Sequence, residues 1–453
     1  MIPEEWLVFA GVAALAGAAL VVAGRVSKLA RWAPAGPLVL LAAAPLVPFV
    51  PLALGLSLDD VVPLTGLLLL GGAVGWRLGG SWPYRRLLAA GIGCALLACL
   101  VSGVANASTP LAAAELTFRG AGRLAVLVAV ALTVAASNPS WRTRELLGRA
   151  LVVVGVVEAV VGLVAYTIGL PGGMGLEPTR KHSVLHNQVP GRINGTLGLA
   201  ADFLGAIFVL TIPLAAALAL QARSRRWRGI WWSAVLIQFL ALLLTYTRSS
   251  LALVVAVLAA LLAARARLRL ILPVVALVVL VLLTTPTLER FVKDVPDRLA
   301  LWTSAARLMA DHPLTGVGPG RMLERARSDS TRYQRTPYGP AVSNAHNTVL
   351  LAGAETGLLG AAGVLLLNVG LGLAALTVAL RNWRPERPEL SLAAGLAILA
   401  FLAQGMVNNL FTVGVTGILA ATMAGCFLAD HDDSADHAGP PVPVLDERGG
   451  RGR

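Results

Sequence analysis

Several ionisable side chains of this chain stand where apolar runs begin or end. Arg180, Lys181, His182, His186 and Arg192 crowd the stretch 171–194, Arg248 falls in the short link 246–250, and His346 opens a long apolar run. Charges at or inside a bilayer are costly, so by default they mark function. Arg192 and Arg248 each lie at the mouth of an apolar run, and two guanidinium forks suit one diphosphate because each binds two oxygens at once. The other reading is that both snorkel to lipid headgroups as anchors. An imidazole, with an ordinary pKa of about 6.5, suits His346 to remove a proton near neutrality. A histidine at the start of a helix also serves as a cap or a packing residue.

Other groups carry weaker signals. His182 and His186 stand four apart, as metal ligands on one helix face do, but no acidic or cysteine partner at ligand spacing accompanies them. The adjacent acids Asp59 and Asp60 fit either a divalent-metal site in a loop or a plain solvated loop. Glu355 follows His346 by nine positions, about 14 Å along an upright helix. There it would orient an arginine or histidine, or stay a neutralised carboxyl. Cys94, Cys99 and Cys426 all lie in apolar runs and show no metal or disulfide pattern.

The elements that must position these groups are membrane helices. Of 453 residues, 57% are hydrophobic and 13% charged, against roughly 45–50% and 25% in soluble domains. This excludes an ordinary soluble chain, a disordered one and a secreted disulfide scaffold. Apolar runs long enough to span occupy 6–23, 36–56, 61–78, 87–105, 124–136, 147–170, 197–220, 229–246, 251–264, 268–284, 349–380, 390–410 and 411–429. The expectation is an all-α, polytopic membrane bundle of about 12–13 transmembrane helices.

The net charge of +13 comes from 37 basic and 24 acidic residues, with lysine only at Lys28, Lys181 and Lys293. Most bases sit in bursts such as Arg142/Arg144/Arg149 and Arg223/Arg225/Arg226/Arg228, which fall in every second gap between spans. That pattern reads as orientation, with the bursts cytoplasmic, and not as binding of nucleic acid. It places the N-terminus outside, makes the first span its own targeting signal, and leaves 430–453 as a disordered cytoplasmic tail. The organisation expected is 1–170 as N-terminal spans, 171–285 as central spans preceded by the basic outer segment 171–194, 286–345 as one large periplasmic loop, and 346–429 as C-terminal spans. The outer side also receives 107–123. Within the large loop, Leu299, Trp302, Ala306 and Met309 recur at helical spacing, which suggests an amphipathic helix on the membrane surface. The run 311–321, DHPLTGVGPGR, then breaks it.

Four motifs stand in order around that loop. They are GRINGTLG at 191–198, the TRSS of 247–250, Trp302 followed by PLTGVGPG at 313–320, and His346-Asn347 with nine residues before Gly357-Leu358-Leu359-Gly360. The last resembles the H-[NSQ]-x9-G-x-x-G signature of the O-antigen ligase and polymerase superfamily, and the other three are similar to its arginine-bearing segment, its TRS turn and its W…P-x-x-G-x-G-x-G stretch. The likeness covers about 190–360. The turn departs from the pattern in reading TRSS where the arginine often follows a serine.

This resemblance implies a GT-C-type glycosyltransferase of the bacterial inner membrane, with its active site facing the periplasm. Such an enzyme moves a glycan from undecaprenyl diphosphate to an acceptor hydroxyl, lipid A-core or another glycan, with inversion and with no metal or other cofactor. Its surroundings are membrane lipids, with no nucleic-acid partner. His346 would be the base, with Arg192 and Arg248 on the diphosphate. Asn347, Glu355, Arg180, Lys181, His186, Trp302 and Arg298 are the candidates for supporting places. A repeat-unit polymerase of the same superfamily is the alternative reading. A polysaccharide or lipid transporter is more remote, because the chain shows no convincing internal repeat.

Overall fold

A computed structural model of the chain describes residues 41, 82–168, 175–176, 192–195, 201–265, 287–341, 343–383, 389–410 and 414–429. The expected spans 6–23, 61–78 and 268–284, most of 36–56, the pair Asp59–Asp60, and Arg180, Lys181, His182 and His186 lie outside the described residues. Within them the chain is almost wholly helical. In order the helices are α1 (Arg85–Ala105), α2 (Pro110–Thr117), α3 (Arg123–Ala136), α4 (Trp141–Ile168), α5 (Ala201–Gln221), α6 (Arg225–Leu244), α7 (Arg248–Ala264), α8 (Thr287–Asp311), α9 (Met322–Ser328), α10 (Ser330–Tyr333), α11 (Thr348–Arg381), α12 (Glu389–Gly405) and α13 (Gly414–Phe427). Two short antiparallel pairs, β1 (Gly175–Leu176) with β2 (Ile193–Gly195) and β3 (Arg335–Thr336) with β4 (Gly339–Pro340), are the described strands. Six helical segments are long and apolar enough to cross a bilayer: α1, the run from α2 to α3, α4, α5, α6 and α11. The chain is a multi-pass, all-α membrane protein.

Helix α5 is the axis. Its residues are apolar on every side and buried from Leu204 to Leu220, which marks a helix enclosed by others. α4, α6, α7 and α12 pack around it. Its one charged residue, Asp202, lies in the first turn. On the other side of the bundle α1 and α11 approach through glycines: a methyl group at Gly91 would lie 2.8 Å from the Leu367 amide nitrogen, and one at Gly370 would lie 2.7 Å from Leu88. Close backbone approach over small residues is how membrane helices gain packing where lipid offers no hydrophobic drive. At the end of α7, Arg265 faces Glu389 of α12 at 3.7 Å and donates to the Trp383 carbonyl.

Three sequence expectations are corrected. The stretch 107–123 is not a loop: Thr109 caps α2, Pro110 takes its first turn, and a π-turn at Phe118–Gly122 carries the helix into α3. Its polar residues Glu115 and Arg119 satisfy each other one turn apart, so they do not break it. The stripe Leu299, Trp302, Ala306, Met309 is not the most buried face of helix α8, each of the four being half-buried. Its fully buried face is Ala300, Leu301, Ser304, Ala305 and Leu308, which packs on the start of α11 and, with Val317, Met322 and Tyr333, forms a second small core.

The run after His346 is not one straight helix either. Gly357 holds φ +76°, ψ −173° and breaks α11. A break frees backbone groups that lipid cannot satisfy. The 313–318 loop supplies them: Val317 N–H donates to the Ala354 carbonyl (3.0 Å), Gly318 N–H to that of Glu355 (2.9 Å), and Leu358 N–H donates to Pro313 (2.8 Å). The loop thereby replaces one turn of helix, and Glu355 sits under it and not alone in hydrocarbon. Its carboxylate accepts the backbone N–H groups of Gly320 and Met322.

A side chain at Gly357 is excluded twice, by its positive φ and by the Pro313 oxygen, 2.6 Å from where a Cβ would lie. Gly357→Ala should therefore destabilise the protein by about 1–3 kcal/mol and lower its melting temperature in detergent. Gly93→Ala, on an open face of α1, should leave the melting temperature unchanged or raise it.

Candidate functional site

The site begins where β2 is pinned to α4. Gly195 adopts φ +63° and lies against the Glu158 carboxylate, and Ile193 packs over Gly162. This fixes Arg192, one residue earlier, beside the first turn of α5. Its guanidinium donates to Asp202 Oδ1 at 2.6 Å, to the Thr245 carbonyl at 2.8 Å and to Thr247 Oγ1 at 3.3 Å. The Thr247 hydroxyl donates in turn to Asp202 Oδ1 at 3.1 Å. Both charged side chains keep about a quarter of their surface exposed, 26% for Arg192 and 22% for Asp202. The ion pair is a partly desolvated one at an opening, where charge-assisted hydrogen bonds are strong.

The α6–α7 connection is shaped for this contact. Tyr246 turns the chain at φ +52°, Thr247 flanks α7, and Arg248 is its first residue. Gly205 of α5 lets the turn come close: a Cβ there would meet Ser250 Oγ at 2.6 Å and the Thr247 Cβ at 3.1 Å. Ser250 is buried and accepts from Gln404 of α12 at 2.7 Å. Arg248 is thus set at the same mouth as Arg192, next in sequence to the threonine that both Arg192 and Asp202 bind.

His346 is held from both sides. Asn347 caps α11 through its Oδ1 to the Leu350 N–H (2.9 Å), and its Nδ2 donates to the Met406 carbonyl at 2.8 Å. Thr348 Oγ1 donates to the Gly405 carbonyl at 2.8 Å. Arg298 of α8 donates to the next carbonyl but one, Val407. The turn after α12 is therefore a fastening point for α8 and α11. His346 itself takes a left-handed backbone, φ +46°, uncommon for a residue other than glycine and the kind of strain found at functional positions. Its half-buried imidazole faces the Asn408 amide and interacts electrostatically with Asp202 and Arg298. Asn408 is 2% exposed, and its two polar atoms have no other partner among the described residues.

Burial holds the His346 pKa below the ordinary value. Asp202 and Asn408 oppose that shift, and Arg298 reinforces it. The imidazole is consequently neutral at neutral pH, the state a base requires. Around it are one carboxylate and a surplus of guanidinium groups, a setting for an anion with a hydroxyl to be deprotonated alongside. Trp302, one turn after Arg298, has a buried indole N–H without a protein partner among the described residues. Among the described residues no three of His, Cys, Asp and Glu meet as metal ligands would.

Of the residues singled out in the sequence, Arg192 is bound to Asp202, whose carboxylate is also acted on by the charges of His346 and Arg298, Arg298 and Asn347 bind neighbouring carbonyls of the turn after α12, and Arg248 follows Thr247 in sequence. Glu355 lies apart, beneath the 313–322 loop. Arg180, Lys181 and His186 are outside the described residues. Sequence reasoning passed over Asp202 and Asn408. Asp202 was there to be found, as the one charged residue in the apolar run 197–220. Asn408, in the run 390–410, carries no comparable signal.

Residues 233–365 match the family model described as O-Antigen ligase. No curated protein matches the chain. The matched stretch runs from within α6 to within α11 and includes Arg248, Arg298, Trp302, His346 and Glu355. The match supports the resemblance read from the three motifs between 247 and 360, and with it an enzyme of the O-antigen ligase and polymerase type. Arg192, Asp202 and Asn408 lie outside the match and join it only in three dimensions.

The His346 shift can be measured. A histidine-selective ¹⁵N titration compared with His346→Gln should show one imidazole protonating below pH 6.5. The sign for stability follows: the unfolded chain takes up that proton first, so this residue destabilises the fold as pH falls below about 6.5 and has no effect above it.

Proposed function

We propose that this chain, which carries an O-antigen ligase domain across residues 233–365, transfers a glycan from undecaprenyl diphosphate to an acceptor hydroxyl at the periplasmic face of the inner membrane. The observation that carries the reading is that Arg192 is held on the Asp202 carboxylate at 2.6 Å, while the charges of His346 and Arg298, from two other parts of the chain, also act on that carboxylate.

In this reading His346 accepts the proton of the acceptor hydroxyl as its oxygen attacks the anomeric carbon from the side opposite the diphosphate. The new C–O bond forms, the bond from that carbon to the phosphate oxygen breaks, and undecaprenyl diphosphate leaves with the electron pair. The configuration inverts. Arg192 and Arg248 hold the diphosphate and supply fixed charge where more develops, which is the main demand of such a transfer. The loop docked on broken α11 keeps water from the donor. No metal is required, because guanidinium groups already provide the positive charge. The acceptor is lipid A-core or another terminal glycan in a ligase; in a polymerase it is a second lipid-linked repeat.

His346→Ala should abolish transfer while lipid-linked donor accumulates; normal transfer by a folded variant would remove His346 as the base. Arg192→Ala and Arg248→Ala should each raise the donor concentration required. Arg→Lys should restore only part of the loss, since the bidentate fork is gone. Reconstitution without added metal, with donor alone and with lipid A-core, separates the two enzyme types: a ladder from donor alone marks the polymerase, and a labelled acceptor marks the ligase.

A further inference from the structure

The loop at 313–321 is fastened by α1 as well as by the broken α11, and the transfer reading gives that second fastening no role. Ser102, in the last turn of α1, is fully buried, and its hydroxyl donates to the Glu355 carbonyl at 2.7 Å. The Asn106 amide, one turn on, donates to the Gly316 carbonyl at 3.3 Å and to that of Ser102 at 3.0 Å. Arg321 closes the far end of the loop by donating to the Asn106 carbonyl at 3.2 Å. Pro319 rests on the π-turn, 3.1 Å from where a Cβ on Gly120 would lie. The loop is thus wedged between the end of α1 and the break in α11. Its other face reaches towards the site: Val317 and Met322 share one small core with Ala345, Leu351 and Ala354, and Ala345 directly precedes His346. The left-handed backbone of His346, φ +46°, persists only where its neighbours hold it.

We propose that Ser102 and Asn106 are positioning residues for the transfer: they keep the 313–321 loop seated throughout turnover, as a fixed wall that holds Ala345 and, through it, the His346 base in register. The inference rests on the glycan-transfer reading and deepens it. The piece of α11 that follows His346 is short, because the helix breaks at Gly357. Asn347 and Thr348 hold its start on the Met406 and Gly405 carbonyls. Val317 and Gly318 of the loop hold its end, through the Ala354 and Glu355 carbonyls. The loop therefore sets this piece where a continuous helix would otherwise do so, and α1 sets the loop. Lifting the loop would strand both carbonyls and the Leu358 N–H where lipid offers no partner, so a lid that opened in each cycle would break its own hinge. Ser102 and Asn106 bring no charge and lie outside the matched residues 233–365. Their effect is on where the base stands and on what water reaches, so it falls on the rate of the bound complex more than on donor affinity.

The test uses full-length protein in proteoliposomes, with undecaprenyl diphosphate bearing a synthetic repeat unit as donor. The acceptor is lipid A-core, or the donor itself where a ladder forms. In Ser102→Ala/Asn106→Ala the kcat at saturating donor should fall by up to about a hundredfold, the loss expected when a catalytic group is misplaced by about 1 Å. The donor KM should change less, and free glycan, formed when water replaces the acceptor, should rise as a share of product. Gly370→Ala is the control for mere loosening: its methyl would lie 2.7 Å from Leu88 and strain the same pair of helices beyond the break. It should lower the melting temperature and leave kcat per folded protein and the product ratio unchanged. Equal losses in both variants, or a raised KM with kcat intact in the first, would overturn the proposal. A cross-link keeps it falsifiable if the double alanine variant does not fold. A Cβ at Gly318 would lie 3.5 Å from that of Asn106, within disulfide range, so Asn106→Cys/Gly318→Cys locks the loop to α1 on oxidation. The oxidised protein should turn over at least as fast as the same variant reduced; a block relieved by reductant would show a moving lid and overturn the fixed wall. His346→Ala separates the two levels. If it is inactive while the alanine variant behaves as wild type, only the positioning role falls; if it remains active, the transfer reading itself falls.

Discussion

One carboxylate set among guanidinium groups governs this molecule's chemistry. Asp202 is the sole charge on the helix around which the bundle is packed, and its position fixes everything that faces it. In water an ion pair such as Arg192–Asp202 contributes little. At a partly desolvated opening, removing one partner leaves the other with a large uncompensated cost. The pair therefore acts as a locating pin: β2, the α6–α7 turn and the first turn of α5 register against one another through it and through Thr247.

A second constraint comes from the broken helix. Lipid offers no partner for backbone groups freed at Gly357, so the 313–318 loop is obliged to donate and accept there. A loop of this kind would elsewhere be free to move. Here three backbone hydrogen bonds, the Ser102 hydroxyl on the Glu355 carbonyl and the Glu355 carboxylate on Gly320 and Met322 tie it down. The same α11 begins at His346, and α8, which leads into the loop, reaches the Val407 carbonyl through Arg298. Loop placement and the setting of the imidazole are thus mechanically joined. This gives two motif glycines a physical meaning: Gly357 of the histidine signature permits the break, and the loop's own Gly316 packs where a side chain would overlap Glu355.

Sequence revealed the helical, multi-pass character because apolar runs and alternating basic gaps are composition written along one dimension. His346 and Arg192 were legible for a related reason, since a charge at the edge of an apolar run is conspicuous. What periodicity misjudged were elements whose polar groups find partners. Glu115 and Arg119 read as loop residues until their pairing keeps them helical. The face of α8 was misjudged because its spacing tells that a stripe exists but not whether lipid or protein covers it. The break in α11 left no trace in hydropathy; only a glycine with a positive φ marks it. Asp202 was overlooked because attention to positive charge at the mouth hid the anion that organises it, and Asn408 because its meaning depends on a neighbour 62 positions away.

The placement of helix ends completes the electrostatics. Asp202 lies in the first turn of α5, Arg248 opens α7, and His346 immediately precedes the cap of α11. The Thr247 hydroxyl on Asp202 joins the first two of these N-termini, and the His346 charge acts on the same carboxylate. Each contributes a partial positive charge from its unpaired N–H groups, and such ends bind anions without any titrating group. The positive field therefore has two sources, guanidinium and backbone, neither of which changes near neutral pH. His346, held neutral by burial, is the exception. The fixed positive charge and the titrating imidazole are therefore different groups with different pH responses.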